Sequence, residues 1–228
     1  MKKNILLINP PLYFSGGRPY SLDSSVPPLG ILYLAAYINK YSGNFKASIM
    51  DVTAQGLSLK EVANKTNEMK PFAVGISAMT PQLQGCVELG AFLKESCSLR
   101  PYIFLGGPHI SADPGFLMRF ADIFDYAITG EAEKTFLQSI NNILNGGQVP
   151  RMQAGEVIMD LDTIPFPDKQ LINRKKYSRY ESMIFSRGCP YCCYYCSRPA
   201  ISKRIRYRSA ENLIAEIKYV YEFCGGKI

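Results

Sequence analysis

The sequence predicts an α/β protein whose first part is a doubly wound domain on a five-stranded parallel sheet. Three observations carry this. Short apolar runs recur along residues 1–147, each the length of a buried strand. Stretches with helical spacing separate them, and most of these open on a capping or proline signal. Strands that alternate with helices need crossovers returning over the sheet, which covers both of its faces.

Asn4 to Ile8 is an apolar run that fits a fully buried strand. Pro27-Pro28 then opens a helix from Leu29 to Tyr41, with Leu29, Leu32, Tyr33, Ala36 and Tyr37 at helical spacing. Phe45 to Met50 is a second strand, ending at Asp51. Ser58 followed by Glu61 is a capping box, so Leu59 to about Met69 is helix. Phe72 to Ser77 is a strand, and Thr80-Pro81 starts a helix running to about Ser96. Tyr102 to Leu105 is the fourth strand, followed by a helix starting at Asp113-Pro114. Tyr126 to Thr129 is the fifth, and Gly130-Glu131 opens a helix that stops near Gly146-Gly147. The alternation reads as a flavodoxin-like or Rossmann-like topology.

Residues 148–182 break the rhythm. The alternating prolines of Ile164-Pro165-Phe166-Pro167-Asp168 make that stretch extended, and with the basic run after it the segment reads as a linker. A third section, 183–228, starts with the apolar run Met183-Ile184-Phe185 as a strand. It continues through a cysteine-rich loop into a helix capped by Ser209, from Ala210 to about Phe223, with Leu213, Ile217 and Val220 on one face. Gly225-Gly226-Lys227-Ile228 resembles the start of another strand.

In a doubly wound sheet the ligand crevice lies beyond the carboxyl ends of the strands. Those ends read Asn9-Pro10-Pro11, Asp51-Val52-Thr53, Ser77-Ala78-Met79-Thr80, Gly106-Gly107-Pro108-His109 and Thr129-Gly130-Glu131. Small, polar and glycine residues collect there, and three of these loops lead into helix amino termini, which favour a phosphate. Glycines, serines and prolines also end strands that bind nothing. No G-x-G-x-x-G follows the first strand and no G-x-x-x-x-G-K-[ST] occurs, so an ordinary dinucleotide or P-loop site is not expected.

An apolar fraction of 47% with 20% charged residues over 228 positions is ordinary for a globular protein. The apolar start at Ile5–Ile8 is too short for a signal peptide, and no window reaches the roughly 18 apolar residues of a membrane span. A cytoplasmic setting is expected, where clustered cysteines read as metal or redox sites. The net charge of +7 comes mainly from the last third, at Arg174-Lys175-Lys176, Arg179, Lys203-Arg204 and Arg206-Tyr207-Arg208. No nucleic-acid module accompanies these residues, so they read as a solvated surface or as partners of an anionic ligand.

Four of the seven cysteines fall within Cys189-Pro190-Tyr191-Cys192-Cys193-Tyr194-Tyr195-Cys196. Thiolates this dense are ligands, because soft sulfur donors select zinc, copper(I) or iron–sulfur clusters. A zinc reading pairs Cys189 with Cys192 and Cys193 with Cys196, yet structural zinc knuckles usually stand a dozen or more residues apart. A three-thiolate reading takes C-x-x-x-C-x-x-C at Cys189, Cys193 and Cys196 for a 4Fe-4S cluster with one open iron, and leaves Cys192 a bystander. Unliganded thiols at this density would invite oxidation. Cys86, Cys97 and Cys224 sit in helical patterns as small core or surface residues.

The stretch Ser186-Arg187-Gly188-Cys189-Pro190-Tyr191, with Cys193 and Tyr194-Tyr195-Cys196-Ser197, resembles the cluster loop of radical S-adenosylmethionine enzymes. Arg206-Tyr207-Arg208-Ser209-Ala210-Glu211-Asn212-Leu213 with Glu216-Ile217 is similar to the segment after that loop in the family. Pro27-Pro28-Leu29-Gly30, Asp51, Gly75-Ile76-Ser77, Leu105-Gly106-Gly107-Pro108-His109 and Gly130-Glu131-Ala132-Glu133 resemble the cobalamin-binding domain of one large branch. Ile164-Pro165-Phe166-Pro167-Asp168 is similar to that branch's linker.

The resemblance implies three cofactors: cobalamin, a 4Fe-4S cluster on Cys189, Cys193 and Cys196, and S-adenosylmethionine on the open iron with Tyr195 beside its adenine. It places cobalamin against Pro10, Pro11, Asp51, Thr53, Ser77, Met79, Thr80, Gly106, Gly107, Pro108, His109, Gly130 and Glu131. It implies radical methyl transfer or ring-forming chemistry on a small-molecule or natural-product substrate, with an electron donor such as flavodoxin or ferredoxin. The D-x-H-x-x-G pattern of histidine-on cobalamin proteins is absent, since Asp51 precedes Val52-Thr53. His109, the only histidine, is expected to shape its loop or meet the corrin's edge. The 183–228 section holds only the first β/α unit of such an enzyme's barrel, so the sequence reads as the N-terminal portion of a longer protein. A non-catalytic cobalamin-binding module and a zinc-stabilised nucleic-acid binder are the alternatives.

Overall fold

A computed structural model of the chain describes residues 2–21, 26–179, 181–197 and 201–224. Its centre is strand β1 (Lys3–Asn9), where Ile5, Leu6, Leu7 and Ile8 are fully buried. Side chains alternate across a strand, so Leu6 and Ile8 enter one apolar cluster and Ile5 and Leu7 the other. Each buried side chain contributes about 1.5–3 kcal/mol. A polar residue in the middle of this strand is therefore expected to be costly.

After β1 comes a short hairpin, β2 (Tyr13–Ser15) and β3 (Arg18–Tyr20), closed by stacking of Tyr13 on Tyr20. Helix α1 (Leu29–Tyr41) leads to β4 (Phe45–Asp51), then to the single turn α2 (Val52–Gln55) and to α3 (Leu59–Met69). The capping box of α3 forms as read: Ser58 Oγ accepts from the Glu61 amide and the Glu61 carboxylate accepts from the Ser58 amide. The chain continues through β5 (Ala73–Ser77), α4 (Leu83–Ser96), β6 (Tyr102–Gly106), α5 (Pro108–Ala112), α6 (Phe116–Arg119), β7 (Tyr126–Thr129), α7 (Glu133–Leu144) and β8 (Met152–Ala154).

The sheet is parallel throughout, in the order β4-β1-β5-β6-β7-β8. It has six strands, one more than the sequence predicts. Helices α1 and α7 supply one apolar layer through Leu32, Ala35, Ile38, Phe136 and Ile140, and α3 and α4 the other through Val62, Cys86, Leu89 and Leu93. From β1 the chain goes first to β4 on one side and later to β5 on the other. The order therefore reverses between β1 and β5, which opens a crevice at their carboxyl ends.

Five expectations are corrected, four of them in the extent and packing of elements. The sheet does not stop at residue 147: Met152–Ala154 pairs with β7 as an edge strand, and its Met-Gln-Ala composition carries no β-branched signal. The segment read as a linker is packed rather than free, with Ile158, Leu161 and Ile164 buried against Tyr33 of α1. The helix expected from Asp113-Pro114 begins earlier, because Gly107-Pro108 already places a proline in a first turn. It then breaks at Asp113, where the following proline disfavours helical backbone. Finally, the strand expected at Met183–Phe185 begins three residues further on, as β9 (Ser186–Arg187), antiparallel to β10 (Arg206–Tyr207).

Helix α8 (Ala210–Phe223) starts at Ser209 as predicted, and Ser209 Oγ accepts from the Asn212 amide. Its buried face differs from the expected one. Glu216 and Val220 are buried, whereas Ile217 is 43% exposed. A charged residue turns the helix, because Glu216 pairs with buried Arg208 and accepts from Tyr33 Oη at 3.1 and 3.3 Å. The strand expected at Gly225–Ile228 lies outside the described residues.

Candidate functional site

Where β5, β6 and β7 end, the structure holds a cavity of about 400 Å³. Its floor is apolar: Leu7, Ile76, Phe104 and Ile128 from the strands, with Ile31 and Leu34 of α1 and Phe136 of α7 as walls. Its rim is backbone and small residues, from Ser77, Gly106, Gly107, Pro108 and Gly130. A methyl group added at Gly106 would meet nothing closer than Ile128 O at 3.9 Å, and one at Gly30 nothing within 4 Å. Both glycines therefore keep volume open. Gly107 is different, since its φ of +99° and the Ala78 backbone 2.7 Å from an added Cβ leave room for glycine alone.

The far side of the cavity is closed by the last section of the chain. Ile184, Ser186, Arg187, Gly188 and Ile201 line it, so it is bounded both by the sheet and by the two ends of the cysteine loop. Charge holds this closure in place. Arg206 donates to both carboxylate oxygens of Glu131, at 3.0 Å to Oε2, and its Nη1 also donates to Ile158 O at 2.5 Å. Arg187 pairs with Glu133 at 2.6 Å and lies 3.6 Å from Glu131. Burial alone would raise the Glu131 pKa. The Arg206 hydrogen bonds, the Arg187 charge and the Ile158 amide outweigh it and hold the carboxyl below its usual range.

A second buried group lies behind the first. Arg208 Nη1 donates to Glu216 and to Ile184 O at 3.2 Å, while Arg208 Nε donates to Asn212 Oδ1 at 2.7 Å. Burial first, then the Glu216 carboxylate, push the Tyr33 phenol far above its ordinary value. In the sequence these arginines contributed to a basic excess read as solvated surface or anionic-ligand partners. The structure commits Arg206 and Arg208 to internal carboxylates instead.

The cavity thus gathers six of the predicted residues: Ser77, Gly106, Gly107, Pro108, Gly130 and Glu131. Glu131 is committed to Arg206 and Arg187. The other seven lie outside it. Pro10 and Pro11 are buried, and the Pro10 carbonyl accepts from Gln82 Nε2 at 2.6 Å. Asp51 caps α2 through Ala54 N and accepts from Tyr177 Oη at 2.9 Å, while Thr53 sits within α2. Met79 and Thr80 are exposed. Thr80 Oγ1 meets His109 Nδ1 at 3.1 Å, and the buried His109 Nε2 has no hydrogen-bond partner among the described residues, its nearest acid being Asp113 at 3.9 Å.

The sequence reading missed Leu7, Gly30, Ile31, Leu34, Phe104 and Phe136 as site residues, and Arg187 and Gly188 as cavity wall. The apolar ones carry no local signal, being indistinguishable from core. Arg187-Gly188 stood in the cluster-loop motif, but nothing local to it indicated a wall facing the sheet.

The cysteine loop itself is exposed. Cys192 and Cys193 face solvent, Cys189 and Cys196 are half-buried, and Tyr195 is 80% exposed. Its backbone is fixed at the neck, where Cys189 N donates to Ser202 O at 3.1 Å and Cys196 N to Cys193 O at 3.0 Å. Gly188 has a φ of +90°, and an added Cβ would lie 2.0 Å from Arg204 O. No group of three or more metal-ligating side chains is drawn together among the described residues. The donor set nonetheless suits a thiophilic centre, because four soft sulfur donors lie within eight residues of a loop anchored at its neck. Cys86, by contrast, is fully buried and its thiol is pushed up to about 12.

Comparison with known proteins gives the chain's relatives. Residues 21–139, more than half of the chain, match the family described as the B12 binding domain. An uncharacterized methyltransferase of Pyrococcus horikoshii is 28% identical over 96% of this chain and 51% of its own length. The anaerobic magnesium-protoporphyrin IX monomethyl ester cyclase of Rubrivivax gelatinosus is 29% identical over 94% of this chain and 42% of its own. Among solved structures, the cobalamin-dependent S-adenosylmethionine radical enzyme OxsB, with aqua-cobalamin and S-adenosylmethionine bound, superposes with a TM-score of 0.73. At 18% identity that likeness shows the fold, over 97% of this chain and 32% of OxsB. The chain spans about half the length of the curated relatives it matches, or less. The resemblance read from the motifs is borne out.

Proposed function

The chain belongs to the B12-binding domain family, and from that premise we propose that it supplies the cobalamin site and cluster loop of a radical S-adenosylmethionine enzyme. The observation that carries this reading is a juxtaposition. Arg187 and Gly188, which lead directly into Cys189, form a wall of the same cavity as Ser77, Gly106 and Gly130. A cobalamin cavity and a thiolate loop built independently would have no reason to share residues.

The chain's own groups divide the work. The apolar slot between Phe104, Ile31 and Phe136 suits a flat aromatic group such as the benzimidazole end of cobalamin. Gly106 and Gly107 allow close backbone approach at its mouth. The residues lining the cavity would hold that end of cobalamin through apolar contacts and backbone, and none of them is a histidine. Cys189, Cys193 and Cys196 would hold three irons of a 4Fe-4S cluster, with Tyr195 beside the nucleoside of S-adenosylmethionine. When bound, these groups supply reductive cleavage of the sulfonium and methyl transfer or related carbon-centred chemistry. The protein's part is orientation: Arg206, Arg187, Glu131 and Glu133 fix the loop over the sheet, and the exposed face of the loop would leave a bound cluster open to an electron donor and a small-molecule substrate.

Two measurements on the full chain test this. Anaerobic reconstitution with iron and sulfide is expected to give about four irons per chain, abolished by Cys193→Ala and retained by Cys192→Ala. Titration with cyanocobalamin is expected to give saturable one-to-one binding by absorption. One zinc and no corrin binding would overturn the proposal in favour of a zinc-stabilised module. Corrin binding without iron would reduce it to a cobalamin carrier. No helix among the described residues is long and apolar enough to cross a membrane.

A further inference from the structure

The geometry points to Arg187 as a positioning residue that couples the occupancy of the cavity to the setting of the cysteine loop. This rests on the proposed cobalamin and cluster reading and goes beyond it, because it names the physical link between the two sites. Arg187 belongs to both. Its side chain lines the cavity, pairs with Glu133 Oε1 at 2.6 Å, lies 3.6 Å from Glu131 Oε2 and stacks over the Tyr33 ring at 5.7 Å. Glu131 and Glu133 line the same cavity, at the end of β7 and the first turn of α7. A ligand entering the slot therefore meets carboxylates and a guanidinium already bound to each other.

The backbone from Arg187 to the first cysteine has no slack. Arg187 is paired with Arg206 across the β9–β10 ribbon. Gly188 packs so tightly on the Arg204 carbonyl that no side chain fits. Cys189 then hydrogen-bonds Ser202 O. These three contacts tie the Arg187 backbone to Cys189, so loss or exchange of the Arg187 ion pairs is expected to be felt at the first cysteine. Arginine suits this role through its planar fork, which holds two carboxylates at once, as a lysine ammonium on its flexible stem would not.

The test measures alkylation of individual cysteines by iodoacetamide in the full, cluster-free chain, read by peptide mass spectrometry with and without saturating cyanocobalamin. In the wild type, cyanocobalamin is expected to change the alkylation rate of Cys189 at least fivefold. In Arg187→Gln and Glu133→Gln that ligand dependence is expected to vanish, with Arg187→Lys restoring part of it. Unlabelled Cys86 confirms an intact core in each variant. Retention of the full ligand dependence in both Arg187→Gln and Glu133→Gln would overturn the inference.

Failure of the underlying reading looks different. If cyanocobalamin does not bind the wild type, the cobalamin assignment falls. The ligand-free rates then still decide the clamp: Cys189 is expected to react several-fold faster in Arg187→Gln, and an unchanged rate would refute it. If Arg187→Gln does not fold, Glu133→Gln and Arg187→Lys carry the same comparison.

Discussion

The cavity and the cysteine loop sit side by side but are built by opposite means. The cavity is a product of packing: a parallel sheet, two helices and a set of glycines leave space that no side chain claims. The loop is a product of anchoring, with an exposed body and a neck fixed by one ribbon, one glycine and one backbone hydrogen bond. The first is rigid because it is buried. The second is positioned only through its ends, so its function depends on the charged pairs that hold those ends to the sheet.

That contrast can be broken most severely at Glu216. Replacing it by alanine leaves the Arg208 guanidinium buried without its carboxylate, at a cost of about 3–5 kcal/mol. Chemical denaturation is expected to show this as loss of the last section first, with increased hydrogen exchange in residues 181–224 and protection retained in β1. Simultaneous loss of β1 protection would show that the two regions unfold as one.

A smaller and more local effect is expected at Gly188. Alanine there must adopt a φ near +90° and overlap the Arg204 carbonyl, for on the order of 1–3 kcal/mol of strain. Limited proteolysis is expected to cut within 189–197 much faster, while cyanocobalamin still binds. Gly106→Val reverses the pattern. Its side chain fills the slot, so cyanocobalamin affinity is expected to fall at least tenfold, about 1.4 kcal/mol, with unchanged protease resistance of the loop. If both variants affect both readouts equally, the division between packing and anchoring fails.

Acid should expose the weakest form of the difference. The folded Glu131 pKa is depressed, so its contribution is fully present above the ordinary glutamate value of about 4.3. It is lost as the pH falls through the lower folded value. Docking of the last section is therefore expected to weaken at acid pH before the sheet does, visible as faster exchange around Arg206. Glu131→Gln is expected to flatten that dependence.

The alternation of strands and helices, the ends of α1, α3 and α8, and the three-cysteine spacing were legible in the sequence. Each rests on local chemistry: a capping box at Ser58 and Glu61, a proline before Leu29, an apolar run at Ile5–Ile8, thiols four and three residues apart. The sequence also located the Gly106-Gly107 turn, where the Ala78 backbone approaches Gly107 so closely that only glycine fits. Tertiary structure alone decided which strand ends form a cavity, and so separated Ser77 and Gly130 from Asp51 and Pro10. It also decided the direction in which α8 faces, where a buried carboxylate at Glu216 outweighed the apolar residue Ile217. Paired charges such as Arg206–Glu131 lie 75 residues apart. No local pattern encodes such a contact, since an arginine destined for a buried carboxylate and one destined for solvent are the same letter until the chain has folded.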